Sequence, residues 1–139
     1  MSVKKCCTLL TIIVALIGSM FLTACGGGGS ELVTTIDVDM TDHKFTPNEF
    51  AVPAEVEITI NLENSGKQPH EFRILVFGAK ADESVDKDGN STRYWSAIAQ
   101  PGESKSLTFT APSKPGSYVI KCTAPGHAEA GMVGTLQVK

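Results

Sequence analysis

The chain has 139 residues, with 12 Lys+Arg against 15 Asp+Glu and four cysteines. A formal charge of −3, with no basic run and no interleaving of aromatic and basic residues, argues against nucleic acid as a partner. The length suits one domain with its own core behind a short leader.

The first residues read as an export leader. Lys4 and Lys5 form a short positive region, and the apolar run LLTIIVALIGSMFL is shorter than the ~20 residues a membrane span needs. LTAC, residues 22–25, has the order of a bacterial lipobox, in which lipid is attached to the cysteine and the chain is cut just before it. An ordinary signal peptide cut nearby and an uncleaved helical anchor are the competing readings. Residues 1–24 are assigned as a lipoprotein signal peptide and Cys25 as the lipid carrier. Cys6 and Cys7 leave with the leader, so the mature chain keeps Cys122 as its single unmodified thiol and forms no internal disulfide. Residues 25–31, containing GGGGS, then form a flexible tether that spans roughly 15 Å and keeps the domain close to a membrane surface.

Period-2 alternation dominates residues 32–139. TTIDVDM aligns Ile36, Val38 and Met40. EVEITINLE puts Val56, Ile58, Ile60 and Leu62 on one face and acidic or polar residues on the other. HEFRILVF aligns His70, Phe72, Ile74 and Val76. SKSLTFT aligns Leu107 and Phe109, GSYVIKC aligns Tyr118, Ile120 and Cys122, and MVGTLQV aligns Met132, Gly134, Leu136 and Val138. Turn clusters (NSGKQP, QPGES, APSKPG) separate these runs. The pattern predicts an all-β protein, a Greek-key β-sandwich of about seven to eight strands. Residues 78–96, GAKADESVDKDGNSTRYWS, stand apart as a long polar connection. They read as a solvated insertion, a short helix or a mobile flap.

The C-terminal hairpin carries the chemistry. Cys122, His127 and Met132 are spaced Cys-x4-His-x4-Met. Cys122 ends one strand, Met132 begins the next, and a tight loop between them can aim all three side chains at one point. His70 starts another strand after a polar turn. Singly, each has a commoner role: a lone Cys is usually a small buried hydrophobe, a Met at a strand start is usually core, and a His in a Pro/Gly loop is usually solvated. Together they are the donors of a blue-copper electron-transfer site, two imidazoles and a thiolate near one plane with a weak axial thioether. Thiolate and thioether favour Cu(I), and imidazole accepts both oxidation states, so a stiff sheet holding this set needs little rearrangement when an electron moves. His43 lacks such company and reads as a surface residue.

On these residues the chain resembles the cupredoxins, the plastocyanin/azurin-like type 1 blue copper proteins. KFTPNEFAVPAEVEITINLENSGKQPHEF is similar to the family's N-terminal part, and PGSYVIKCTAPGHAEAGMVGTLQV to its C-terminal ligand loop. The four-and-four spacing is similar to that of auracyanin and rusticyanin, and the membrane-linked character resembles auracyanin more nearly. The resemblance implies one copper ion, held by His70, Cys122, His127 and axial Met132. It further implies that the Pro69 carbonyl faces the metal from the opposite axial side, and that Thr123 is the small polar residue beside the thiolate. Many members carry Asn after the first histidine, tying the two ligand segments and donating toward sulfur. This chain has Glu71, and an ionised carboxylate cannot donate. The tie must therefore be made otherwise or be missing.

Ala124, Pro125, Gly126, Ala128, Ala130 and Gly131 form a small apolar rim around His127, which Phe45 and Pro47 join by the same resemblance. Glu129 breaks the rim and could orient a basic partner. The function this implies is that of a monomeric one-electron carrier rather than an enzyme. It works between redox proteins, cytochrome or copper complexes, and is anchored by lipid at Cys25 to the outer face of the cytoplasmic membrane or an equivalent envelope surface. A copper storage or delivery module is the alternative. An electron-accepting domain of a copper enzyme is disfavoured, because no second histidine cluster is present.

Overall fold

The computed structural model describes residues 31–84 and 91–139. The leader, Cys25 and most of the tether lie outside the described residues. Nine strands follow in chain order: β1 (Thr35–Thr41), β2 (Lys44–Thr46), β3 (Glu49–Val52), β4 (Glu57–Asn64), β5 (His70–Leu75), β6 (Arg93–Ala99), β7 (Ser104–Thr110), β8 (Gly116–Lys121) and β9 (Val133–Val138). They form one sheet of order β2-β1-β4-β7 and another of order β3-β9-β8-β5-β6. β1 runs parallel to β4 and β3 parallel to β9, and the remaining pairs are antiparallel.

The two sheets bury the residues that alternation aligned. Ile36, Val38 and Met40 from β1 and Ile58, Ile60 and Leu62 from β4 face Phe72, Ile74, Tyr118, Ile120, Leu136 and Val138 from the other sheet, all 3% exposed or less. Burying one such aliphatic or aromatic side chain is worth about 1.5–3 kcal/mol, so this shared face supplies most of the driving force for closing the sandwich. Gly134 serves a close approach. A Cβ there would lie 2.4 Å from the carbonyl oxygen of Asn48, which instead accepts the Thr135 N–H at 2.8 Å.

Three sequence expectations are corrected. Val56 lies outside β4 and is 38% exposed, so the inward face of that run starts at Ile58. A register shift between Ile74 and Leu75 breaks the alternation of β5, so that Leu75 is fully buried while Val76 is only half-buried. A bulge of this kind turns the strand by one position, which no period-2 pattern anticipates. Residues 78–96 are not simply an insertion: they include β6 from Arg93, an edge strand whose Trp95 stacks on Phe109 with ring centroids 5.0 Å apart. Upstream of β6, Lys121 Nζ donates to the carbonyls of Ala81 and Glu83 at 2.8 and 3.0 Å, holding that stretch against β8. No helix occurs among the described residues.

Candidate metal centre

Three connections meet at one end of the sandwich: the β1–β2 turn, the β4–β5 loop and the β8–β9 loop. Asn64, fully buried at the end of β4, shapes the second of them. Its amide nitrogen donates to the Gln68 and Ala99 carbonyls at 2.8 and 2.9 Å, and its Oδ1 accepts the Gly66 N–H at 2.9 Å. The loop so folded delivers His70 as the first residue of β5. Pro69, just before it, is exposed.

The β8–β9 loop is closed at its base. The Cys122 N–H donates to the Met132 carbonyl at 3.1 Å, and the Met132 N–H donates to the His127 carbonyl at 2.8 Å. Gly126 and Gly131 take positive φ, 79° and 104°, where a side chain is strained and glycine is not. The result is a tight turn with His127 pointing inward, 3% exposed.

His70 Nδ1 lies 3.9 Å and His127 Nδ1 lies 3.6 Å from Cys122 Sγ, and one donor atom from each of the three residues falls within 4.8 Å of the others. A metal bonded at about 2.0–2.1 Å to imidazole and about 2.3 Å to thiolate, with trigonal angles, separates N from S by about 3.8 Å. The two observed separations bracket that value. Soft sulfur with two imidazoles is chemistry that copper satisfies. Met132, the fourth expected residue, is fully buried at the loop's end and belongs to the core cluster.

The imidazoles are held by what lies behind them. His70 Nε2 sits 3.3 Å from Asp42 Oδ1, which also accepts the Lys67 N–H at 3.0 Å. That backbone hydrogen bond above all, with the contact to His70 beside it, outweighs desolvation and keeps the Asp42 carboxyl below its ordinary pKa. An ionised carboxylate only accepts, so this contact calls for a proton on Nε2 and leaves Nδ1 as the ring atom on the Cys122 side. Gly66 leaves room for this contact, since a Cβ there would lie 2.6 Å from His70 Nε2 and 2.7 Å from Asp42 Oδ1. Burial, with His70 and His43 nearby, pushes the His127 pKa down against the opposing pull of Asp42, which favours the uncharged ring.

Glu71 resolves the question its sequence position raised. The tie between the two ligand segments is present with its polarity reversed: the Thr123 hydroxyl donates to Glu71 Oε2. Arg73 adds Nε and Nη2 contacts to Oε1 at 3.2 and 3.1 Å. Burial raises the Glu71 pKa, but hydrogen bonds from Thr123, Ser96 and Arg73 outweigh it and hold the carboxyl below its usual value.

The apolar rim is there in part. Pro125 and Gly126 are exposed, and Ala124 and Ala128 are half-buried. Phe45 is not part of it. This ring is 1% exposed, with its edge toward Phe72 at a centroid distance of 5.3 Å, because its inward position on β2 puts it in the core. Pro47 is exposed beside a groove that Asp39, Asn61 and Lys105 also line. Sequence reasoning missed Asp42, Gly66 and Asn64, and left His43 as bare surface. His43 is exposed, yet its ring packs edge-on against His127, with centroids 4.7 Å apart. The one sequence signal for this was the polar TDHK break between alternating runs.

Residues 32–139 match the family described as copper binding proteins, plastocyanin/azurin family. Auracyanin-A of Chloroflexus aurantiacus is 31% identical, over 78% of this chain and 83% of that one. Auracyanin-B of the same organism is 54% identical over 44 residues, which make up 32% of this chain and only 18% of that relative's length. Among solved structures, dithionite-reduced auracyanin from Roseiflexus castenholzii superposes with a TM-score of 0.67 at 30% identity, covering 78% of this chain and 99% of that one. The all-β sandwich, the donor spacing at its end and these likenesses agree: the chain belongs to the plastocyanin/azurin family of copper-binding proteins, with auracyanins among its relatives, and takes a single copper ion at its His-Cys-His set.

Proposed function

We propose that this protein is a membrane-anchored one-electron carrier whose copper is held by His70, Cys122 and His127, with Met132 as a weak axial donor. The observation that carries the reading is the convergence of two Nδ1 atoms on one buried Sγ at 3.9 and 3.6 Å. Copper bound there supplies a reversible one-electron couple. The chain's own residues keep both imidazoles and the thiolate in place as that charge changes. Asp42 orients His70, the Cys122–Met132 backbone bond closes the loop, and Glu71 ties β5 to Thr123. A storage or delivery protein needs exchangeable, exposed donors, whereas the three here are 3% exposed or less.

Adding Cu(II) to the copper-free protein should give an intense visible band that ascorbate bleaches and air or a mild oxidant restores. A colourless complex, or rapid loss of copper to a weak chelator, would overturn the carrier reading.

The anchor rests on the sequence LTAC at residues 22–25. Several acyl chains on Cys25 give stable attachment where one gives only marginal binding. The protein then faces outward from the cytoplasmic membrane, or sits on an equivalent envelope surface, and exchanges electrons as a monomer with cytochrome or copper complexes. Mass spectrometry of the mature N-terminus tests this, and an unmodified Cys25 on a soluble product would refute it.

A further inference from the structure

We infer that His43, rather than the edge of His127, is the group through which an electron enters and leaves the site. The inference rests on the proposed copper set.

In this chain His127 is nearly covered, at 3% exposure, so a partner resting on the rim meets little of its ring. His43 is exposed, and its ring meets His127 edge to face, at 69° and a centroid distance of 4.7 Å. On the inner side His127 lies 5.0 Å from the His70 ring. The three imidazoles thus form a short series from the buried donors to solvent, with His43 outermost.

The backbone supports a purpose for this placement. Thr41 pairs with Lys44, which leaves Asp42 and His43 as a two-residue turn. His43 has φ of 67°. That left-handed region costs a residue with a side chain about 1–2 kcal/mol, and glycine or asparagine meets such a turn more cheaply. Strain of this kind persists where the surroundings hold it, and it gathers at functional sites. Here the turn is pinned by its neighbour: Asp42 accepts the Lys67 N–H at 3.0 Å and pairs with His70 at 3.3 Å. The His43 ring is consequently presented in one place.

The step is the passage of one electron from the reduced protein to an oxidised one-electron acceptor, or the reverse. No bond forms or breaks, no proton moves, and His43 keeps its own charge throughout. Its ring fills with π-bonded atoms a gap that water would otherwise occupy, and electronic coupling weakens steeply across such a gap. The fitting partner presents an exposed redox group, with basic residues around it opposite the exposed carboxylates of Asp42 and Glu129.

The test uses the copper-loaded protein as its own partner, with self-exchange measured by NMR line broadening in mixtures of its reduced and oxidised forms. His43→Asn suits the left-handed turn and removes the ring. It should slow self-exchange by about tenfold, a barrier change that rates resolve readily. The visible band and the reduction potential should stay as in the wild type, and His43→Phe should recover most of the rate. An unchanged or faster rate in His43→Asn would overturn the inference. So would a shifted band or potential, which would make His43 a support for His127 instead. A wild-type protein without a visible copper band would fail the parent reading, a result distinct from either of these.

Discussion

Removing the Glu71 carboxylate tests whether the two ligand segments are tied through it. Glu71 stands beside His70 on β5, is 7% exposed, and takes hydrogen bonds from Thr123 beside Cys122 and from Arg73. A buried hydrogen bond to a charged group is worth about 1.5–3 kcal/mol. Arg73 is 22% exposed and Thr123 is also exposed, so water recovers part of what either loses. Glu71→Gln, which keeps an acceptor for Thr123 and loses the charge, should therefore cost about 1–2 kcal/mol, and Glu71→Ala about 2–3 kcal/mol. In a domain of this size each kcal/mol lowers Tm by about 4–8 °C.

The assay is urea unfolding of the copper-free protein, in a double-mutant cycle of Glu71→Ala with Thr123→Val. A coupling of about 1 kcal/mol is expected between residues in direct contact. The pH dependence has a definite sign. The folded pKa of Glu71 lies below its ordinary 4.5, because the bonds from Thr123, Ser96 and Arg73 overcome the opposing effect of burial. Its contribution is therefore complete above the unfolded value and is lost as pH falls through the folded one. The gap between wild type and Glu71→Gln should accordingly be largest near neutrality and shrink in acid. Additive single-mutant effects, or a gap that widens on acidification, would refute the reasoning.

Cys122→Ser replaces a thiolate by a harder and far less acidic donor. The visible copper band should vanish while the far-ultraviolet circular dichroism of the sandwich is retained, and a serine variant that keeps a comparable band would remove Cys122 from the donor set. Met132→Leu deletes the proposed axial donor, which Cu(II) would use more than Cu(I), so voltammetry should find a raised potential; Met132→Gln offers a harder oxygen and should lower it. Equal potentials in all three proteins would exclude the axial role. Gly66→Ala drives a methyl group into His70 Nε2 and Asp42 Oδ1, at 2.6 and 2.7 Å. Overpacking of this kind costs about 1–3 kcal/mol, and the displaced imidazole should weaken copper binding in a competitive titration. Wild-type stability and affinity together would show that the loop simply moves aside.

What could be read in the sequence follows the range over which each force acts. Alternation identified six of the seven longer strands because burial imposes period 2 wherever one face meets a core. It failed at β2 and β3, which have only three and four residues, and at β6, whose half-exposed edge position leaves no clean contrast between faces. Cys122 and His127, with Met132 proposed beside them, were legible because one short loop carries them, and His70 because its strand parity pointed inward. The residues that hold those donors were not legible, since Asp42 is 28 positions from His70 and Glu71 is 52 from Thr123. Contacts of that separation exist only once β1 lies beside β4 and β5 beside β8.

Glu71 carries the point further. At the level of residue type it left the tie either made otherwise or missing, because a carboxylate cannot donate as an asparagine does. In the folded chain the Thr123 hydroxyl in the β8–β9 loop is the donor, and an acceptor is what position 71 requires. The tie is made because its two ends are complementary, Glu71 accepting what the Thr123 hydroxyl gives. Sequence comparison at a single position sees one half of such a pair. The half that decides whether the site is held lies 52 residues away, in the β8–β9 loop.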